Sequence, residues 1–115
     1  MTNATTALLA SKGFVVLLDT ELNLQLIDVR EPDEFADWRI AGAINIPLGQ
    51  LATRHDEVNP DARIVVICAK GSRAAQGAEI FCDLGISNEV LDGGMGAWAS
   101  TYDEVEAAFA GATVV

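Results

Sequence analysis

A cysteine followed within five residues by lysine, glycine and arginine, in Cys68-Ala69-Lys70-Gly71-Ser72-Arg73, is a combination suited to nucleophilic sulfur chemistry. The thiolate is the reactive form of cysteine, and positive charge or backbone N–H groups near the sulfur favour it over the thiol. The apolar run Ile64-Val65-Val66-Ile67 stands directly before the cysteine, and a helix reads from near Ser72 through Ala74 to Phe81. A buried strand hands the chain to a short loop, and the loop hands it to a helix N-terminus. Open α/β sheets place their ligand crevices at this end of their strands. N–H groups in the first turn of a helix lack intrahelical partners and attract an anion. Successive loop N–H groups can converge into an anion-binding nest, and Gly71 lets the loop turn tightly. The plain alternative is a buried cysteine packed as a small hydrophobe. Lysine, glycine and arginine so close behind it favour the reactive reading.

The elements that must position this loop can be followed along the chain. Leu24 to Asp28 alternates and then runs apolar, as a strand covered on at least one face does. Glu31-Pro32-Asp33-Glu34 opens a helix, with proline preset for the first turn and acids near the positive end of the dipole. Phe35 and Trp38 are expected to share its buried face. Ala43 to Ile46 is a short strand stopped by Pro47, Leu48 and Leu51 suggest a helical turn, and Asn59-Pro60-Asp61 is a turn. Ile64 to Ile67 is the central strand, and Ser72 to Leu84 a helix closed by Gly85. Glu89 to Leu91 forms the last strand, followed by a tight Gly93-Gly94 loop. A short helix over Met95 to Ala99 and a terminal helix over Tyr102 to Phe109, with a frayed tail, complete the chain. Phe14 to Leu18 has strand propensity, yet Ala7 to Thr20 could equally be a broken helix. Alternation of strands and helices predicts an α/β fold, a central parallel sheet of about five strands with helices on both faces. One domain is expected over residues 1–115, with a core from about 7 to 110 and flexible termini.

Two regions carry a family resemblance. Leu26-Ile27-Asp28-Val29-Arg30-Glu31-Pro32-Asp33-Glu34-Phe35, with Ile40-Ala41-Gly42-Ala43-Ile44-Asn45-Ile46-Pro47-Leu48, resembles the first signature of rhodanese-like domains. Cys68 to Arg73, Leu91-Asp92-Gly93-Gly94 and Ala97-Trp98 resemble the second. The likeness runs from Leu24 to Ser100 and implies a sulfurtransferase fold in which Cys68 carries a sulfane sulfur as a persulfide. It also inclines part of Ala7 to Thr20 towards helix, where such domains usually have one. The implied reaction moves sulfur from a donor such as thiosulfate to cyanide or a thiol, with Ala69 to Arg73 cradling the donor. Loop length separates this chemistry from that of related phosphatases and arsenate reductases, which have one residue more than the Cys-x4-Arg spacing found here. The alternative within the family is a protein-fed sulfur carrier or regulatory binding module with little activity on thiosulfate. Two departures stand out. Trp38-Arg39-Ile40 occupies the place of a common Gly-His-Ile, and Ala74 that of a serine, removing one possible hydroxyl hydrogen bond near the helix start.

Composition bounds the remaining possibilities. Half of the 115 residues are hydrophobic and 21% are charged, as in a compact globular protein. No apolar run reaches the length of a membrane span, and Met1 to Thr6 lacks the basic start of a signal peptide, so the expected address is cytoplasmic. A formal net charge of −10 disfavours nucleic acid and anionic membranes as partners. Lys70 and Arg73, joined by Arg30, would then form a locally positive pocket for an anionic donor. Asp28 and Arg30, at a strand end, are either an ion pair bracing the loop or direct substrate contacts. Cys82 lies ten residues into the helix, roughly 15 Å along its axis, too far for a disulfide with Cys68. His55 stands alone in a polar stretch without metal-ligand spacing. No metal and no cofactor is expected.

Overall fold

The computed structural model describes residues 3–111, with side chains as far as residue 102. Its elements run β1 (Thr6–Leu9), α1 (Ser11–Thr20), β2 (Leu24–Asp28), α2 (Pro32–Asp37), β3 (Ile44–Asn45), α3 (Leu51–Arg54), β4 (Arg63–Ile67), α4 (Ser72–Asp83), β5 (Asn88–Leu91) and α5 (Gly94–Gly111). The five strands form one parallel sheet in the order β1-β5-β4-β2-β3.

Burial on both faces explains the unbroken apolar run of β4. Ile64 and Val66 face a core with Leu51, Ala78 and Phe81 from α3 and α4. Val65 and Ile67 face a second core with Phe14 of α1 and Met95 of α5. Gly77 lets α4 settle close to the sheet, since a Cβ there would lie 3.1 Å from Leu51 and 3.4 Å from Val66. The chain leaves β2 towards β3 on one side and β4 towards β5 on the other, so the crevice where direction reverses opens between the ends of β2 and β4. Register sets the level of that crevice: Asp28 pairs with Ile67, and the Val29 N–H donates to the Ile67 carbonyl at 2.9 Å. Arg30 and Cys68 thus emerge from neighbouring strands together.

Some expected boundaries differ. Ser11–Thr20 is helical, as the reading inclined, but Thr6–Leu9 ahead of it is a strand. This edge strand pairs only with β5 and is mostly exposed, so no hydrophobic alternation announces it. The short and terminal helices expected after Gly94 are one helix, α5. Thr101 is buried, and its hydroxyl shares a 2.6 Å hydrogen bond with that of Ser11 on α1, so polar residues do not interrupt the helix. Beyond Gly111 the expected tail lies outside the described residues. At the end of α4, Gly85 has φ 81° and donates its N–H to the Cys82 carbonyl while Ile86 donates to that of Phe81, a Schellman closure. Phe35 and Trp38 do not share a buried face. Helix α2 buries no residue, and Trp38 is its C-cap with 42% of its surface exposed.

Candidate active site

Cys68 follows β4 directly and is 1% exposed. Its Sγ accepts the Gly71 N–H at 3.0 Å and the Ala74 N–H at 3.3 Å. Gly71 is the N-cap residue of α4, with φ 114°, and has no side chain to cap the helix. The sulfur takes the place of a capping oxygen, satisfying an N–H of the first turn and lying at the positive end of a 12-residue helix. Ala74 contributes through its backbone, so the absence of a serine hydroxyl leaves this contact intact.

The opposite side of the loop is held by α5. The Met95 N–H donates to the Cys68 carbonyl at 2.8 Å, and the Gly96 N–H to that of Ala69 at 3.3 Å. Gly94, with φ 60°, makes this approach possible: a Cβ on it would fall 2.3 Å from the Cys68 carbonyl oxygen. The Gly-Gly pair after a strand was the available signal of such a contact, though sequence reasoning took it only as a tight loop.

The arginines are committed to carboxylates. Arg73 makes a fork with Glu34 of α2, at 2.6 and 3.0 Å. Its guanidinium and the Glu31 N–H hold the Glu34 carboxyl down from 4.5 to about 2. In return Glu34 raises the Arg73 pKa above its ordinary value, with smaller contributions from Cys68 and Glu31. Glu34 was not singled out from sequence, although Glu31 and Glu34, three apart at a helix start, are spaced for the capping box they form. Arg30 and Asp28 are both buried. Arg30 Nε lies 3.0 Å from Asp28 Oδ1, Nη2 lies 2.8 Å from Oδ2, and Nη2 also donates to the Trp38 carbonyl at 2.8 Å. Of the two roles left open for this pair, the ion pair is the one its geometry displays. Asn45, also missed, donates to the carbonyls of Asp28 and Arg30 at 3.0 and 2.9 Å and fixes the end of β2.

A cavity of 370 Å³ opens beside the loop, lined by Arg30, Glu34, Asp37 and Trp38 on one part and by Ala69, Lys70, Met95 and Gly96 on the other. The expected positive pocket is therefore corrected to a balanced one. Arg30 and Arg73 are neutralised by Asp28 and Glu34, leaving Lys70 and Asp37 with no ion pair among the described residues. Trp38, at a departure from the family pattern, borders the cavity. Its ring lies 6.1 Å from that of Trp98. The other residues named from sequence lie elsewhere: Arg39 stacks over Phe35 at 5.1 Å, and His55 Nδ1 lies 3.0 Å from the Ala52 carbonyl oxygen. Both cysteines are free, and Cys82 packs half-buried beside Asn88.

The rhodanese-like domain family matches residues 9–101. The chain is 40% identical over 75 residues to the uncharacterized protein YqhL of Bacillus subtilis, covering 64% of this chain and 60% of that protein. It is 34% identical over 67 residues to the putative sulfur carrier protein YrkF of the same organism, covering 58% of this chain but only 36% of YrkF. Against the thiosulfate sulfurtransferase GlpE of Pseudomonas aeruginosa it is 34% identical over 83 residues, 71% of this chain and 76% of that one. A crystal structure of a rhodanese-related protein from Thermoplasma volcanium superposes with a TM-score of 0.75 at 29% identity, covering 82% of this chain and 91% of the other. No described helix is long and apolar enough to cross a membrane.

Proposed function

Because this chain belongs to the rhodanese-like family, we propose that it transfers a sulfane sulfur, from a donor such as thiosulfate to cyanide or a thiol, through a persulfide on Cys68. The observation that carries this reading is the Cys68 sulfur seated at the N-terminus of α4, within reach of the Gly71 and Ala74 N–H groups. The thiolate attacks the outer sulfur of the donor. The donor's S–S bond breaks, sulfite leaves with the bonding pair, and the transferred sulfur stays on Sγ. In the second half-reaction the acceptor attacks that sulfur and Cys68 leaves as thiolate, giving ping-pong kinetics. The Gly71 and Ala74 N–H groups and the helix terminus are already oriented towards the sulfur, so they stabilise thiolate and persulfide without reorganising. Lys70 supplies the free positive charge that meets an anionic donor. Arg73 acts as a positioning residue, tying the loop to α2 through Glu34, and the Asp28–Arg30 pair braces the adjoining strand end.

The test is intact-protein mass spectrometry after brief exposure to thiosulfate, on the wild type and on Cys68→Ser. A gain of one sulfur atom on the wild type alone, removed by a thiol reductant, is expected. Equal gain on the variant would overturn the assignment of the nucleophile. The balanced charge of the cavity favours a second reading, a carrier fed by a protein persulfide. Loading by a persulfidated protein where thiosulfate fails would select it.

A further inference from the structure

The two unpaired charges at the cavity mouth point to the chemistry of the acceptor. Asp37 ends α2, whereas Lys70 stands two residues after Cys68, so the two come from separate elements yet border one cavity. Among the described residues neither side chain makes an ion pair or hydrogen bond, while the other two charged groups bordering the cavity, Arg30 and Glu34, are held by Asp28 and Arg73. Trp38, an aromatic residue, follows Asp37 and borders the same space. An anionic ligand would meet Lys70 but also Asp37, and a simple cation the reverse. A molecule bearing both charges meets a partner for each.

We propose that the cavity selects a zwitterionic aminothiol, an amino-acid thiol such as cysteine, as the sulfur acceptor. Its ammonium lies against the Asp37 carboxylate and the Trp38 ring, and its carboxylate against the Lys70 ammonium. The acceptor thiolate attacks the outer sulfur of the Cys68 persulfide. The bond from that sulfur to Sγ breaks, Cys68 keeps the electron pair and leaves as thiolate, and the acceptor departs as its persulfide. No external oxidant or reductant is consumed. This inference rests on the persulfide reading above and assigns Asp37 and Lys70 as the residues that set acceptor specificity.

The experiment loads the protein with inorganic polysulfide, removes the excess, and follows the single-turnover loss of the added sulfur to four thiols. Cysteine carries both charges, cysteamine the ammonium, 3-mercaptopropionate the carboxylate and 2-mercaptoethanol neither. The thiols differ in intrinsic reactivity, so each rate constant is read as a ratio of variant to wild type, which cancels that difference. Asp37→Asn is expected to slow transfer to cysteine and cysteamine by about two- to fivefold, as for a solvent-exposed charge contact, relative to the other two. Lys70→Gln is expected to slow cysteine and 3-mercaptopropionate by a similar factor. Ratios equal across the four thiols would overturn the acceptor assignment while leaving the persulfide intact. Failure to load sulfur on Cys68 would overturn the persulfide reading, and this assignment with it.

Discussion

Protonating Glu34 is expected to loosen the Cys68 loop, because the carboxylate is the group that fixes Arg73. Its carboxyl titrates at about 2 in the folded chain against an ordinary 4.5. As pH falls below 4.5 the unfolded chain takes up this proton first, so the stabilisation present above that value shrinks and is gone near pH 2. Glu34→Gln removes it at every pH. The difference in Tm between wild type and variant is therefore expected to be full at pH 6 and to close as the pH approaches 2; a constant difference would show that the ion pair contributes nothing. The loop from Cys68 to Arg73 was legible in sequence because its residues fall within six positions, and such closeness announces its own neighbourhood. The Glu34 partnership spans 39 positions and depends on how α2 lies beside α4, which no local pattern encodes. That is why Arg73 was expected to face the substrate and instead faces a carboxylate.

Helix α5 reaches the cysteine loop through two backbone N–H groups, and the glycine that permits this is the weakest point for substitution. Gly94→Ala would place a methyl group 2.3 Å from a carbonyl oxygen at a residue with φ 60°. The positive φ alone costs of order 1–3 kcal/mol for a non-glycine residue, and the contact forces the loop or the helix to shift. Chemical denaturation is expected to show at least that loss, with sulfur transfer falling alongside it. Unchanged stability would mean that the two elements separate freely. Strands β2 and β4 and helices α2 and α4 were readable because apolar runs, proline and glycine mark their ends. Strand β1 was not, since an exposed four-residue edge strand has neither alternation nor a buried run to show. Helix α5 was split in two because Ser100 and Thr101 look like a break until Thr101 is seen buried against α1.

On the scale of the whole molecule, charge works against compactness. A net charge of −10 on 115 residues is self-repelling, and raising ionic strength from 0.01 to 0.15 M shortens the screening length from about 30 to about 8 Å. Tm is expected to rise over that range, as a thermal scan in added sodium chloride can check; a falling Tm would mean that attractive pairs such as Arg63–Glu89, at 2.7 Å, outweigh the repulsion. Parallel α/β architecture followed from the alternation of elements, but the strand order did not. Placing β1 beyond β5 requires the chain to cross the sheet, and the parallel pairing of β1 with β5 reveals it.

The chain has only two tryptophans, and they lie together, Trp38 bordering the cavity and Trp98 with its ring 6.1 Å away. Intrinsic emission therefore originates almost wholly from this one edge of the protein. A thiol entering the cavity that Trp38 borders would change the surroundings of this fluorophore, so stopped-flow fluorescence of the unlabelled protein is expected to report its arrival. Such a signal would give the proposed cavity its own optical gauge of occupancy.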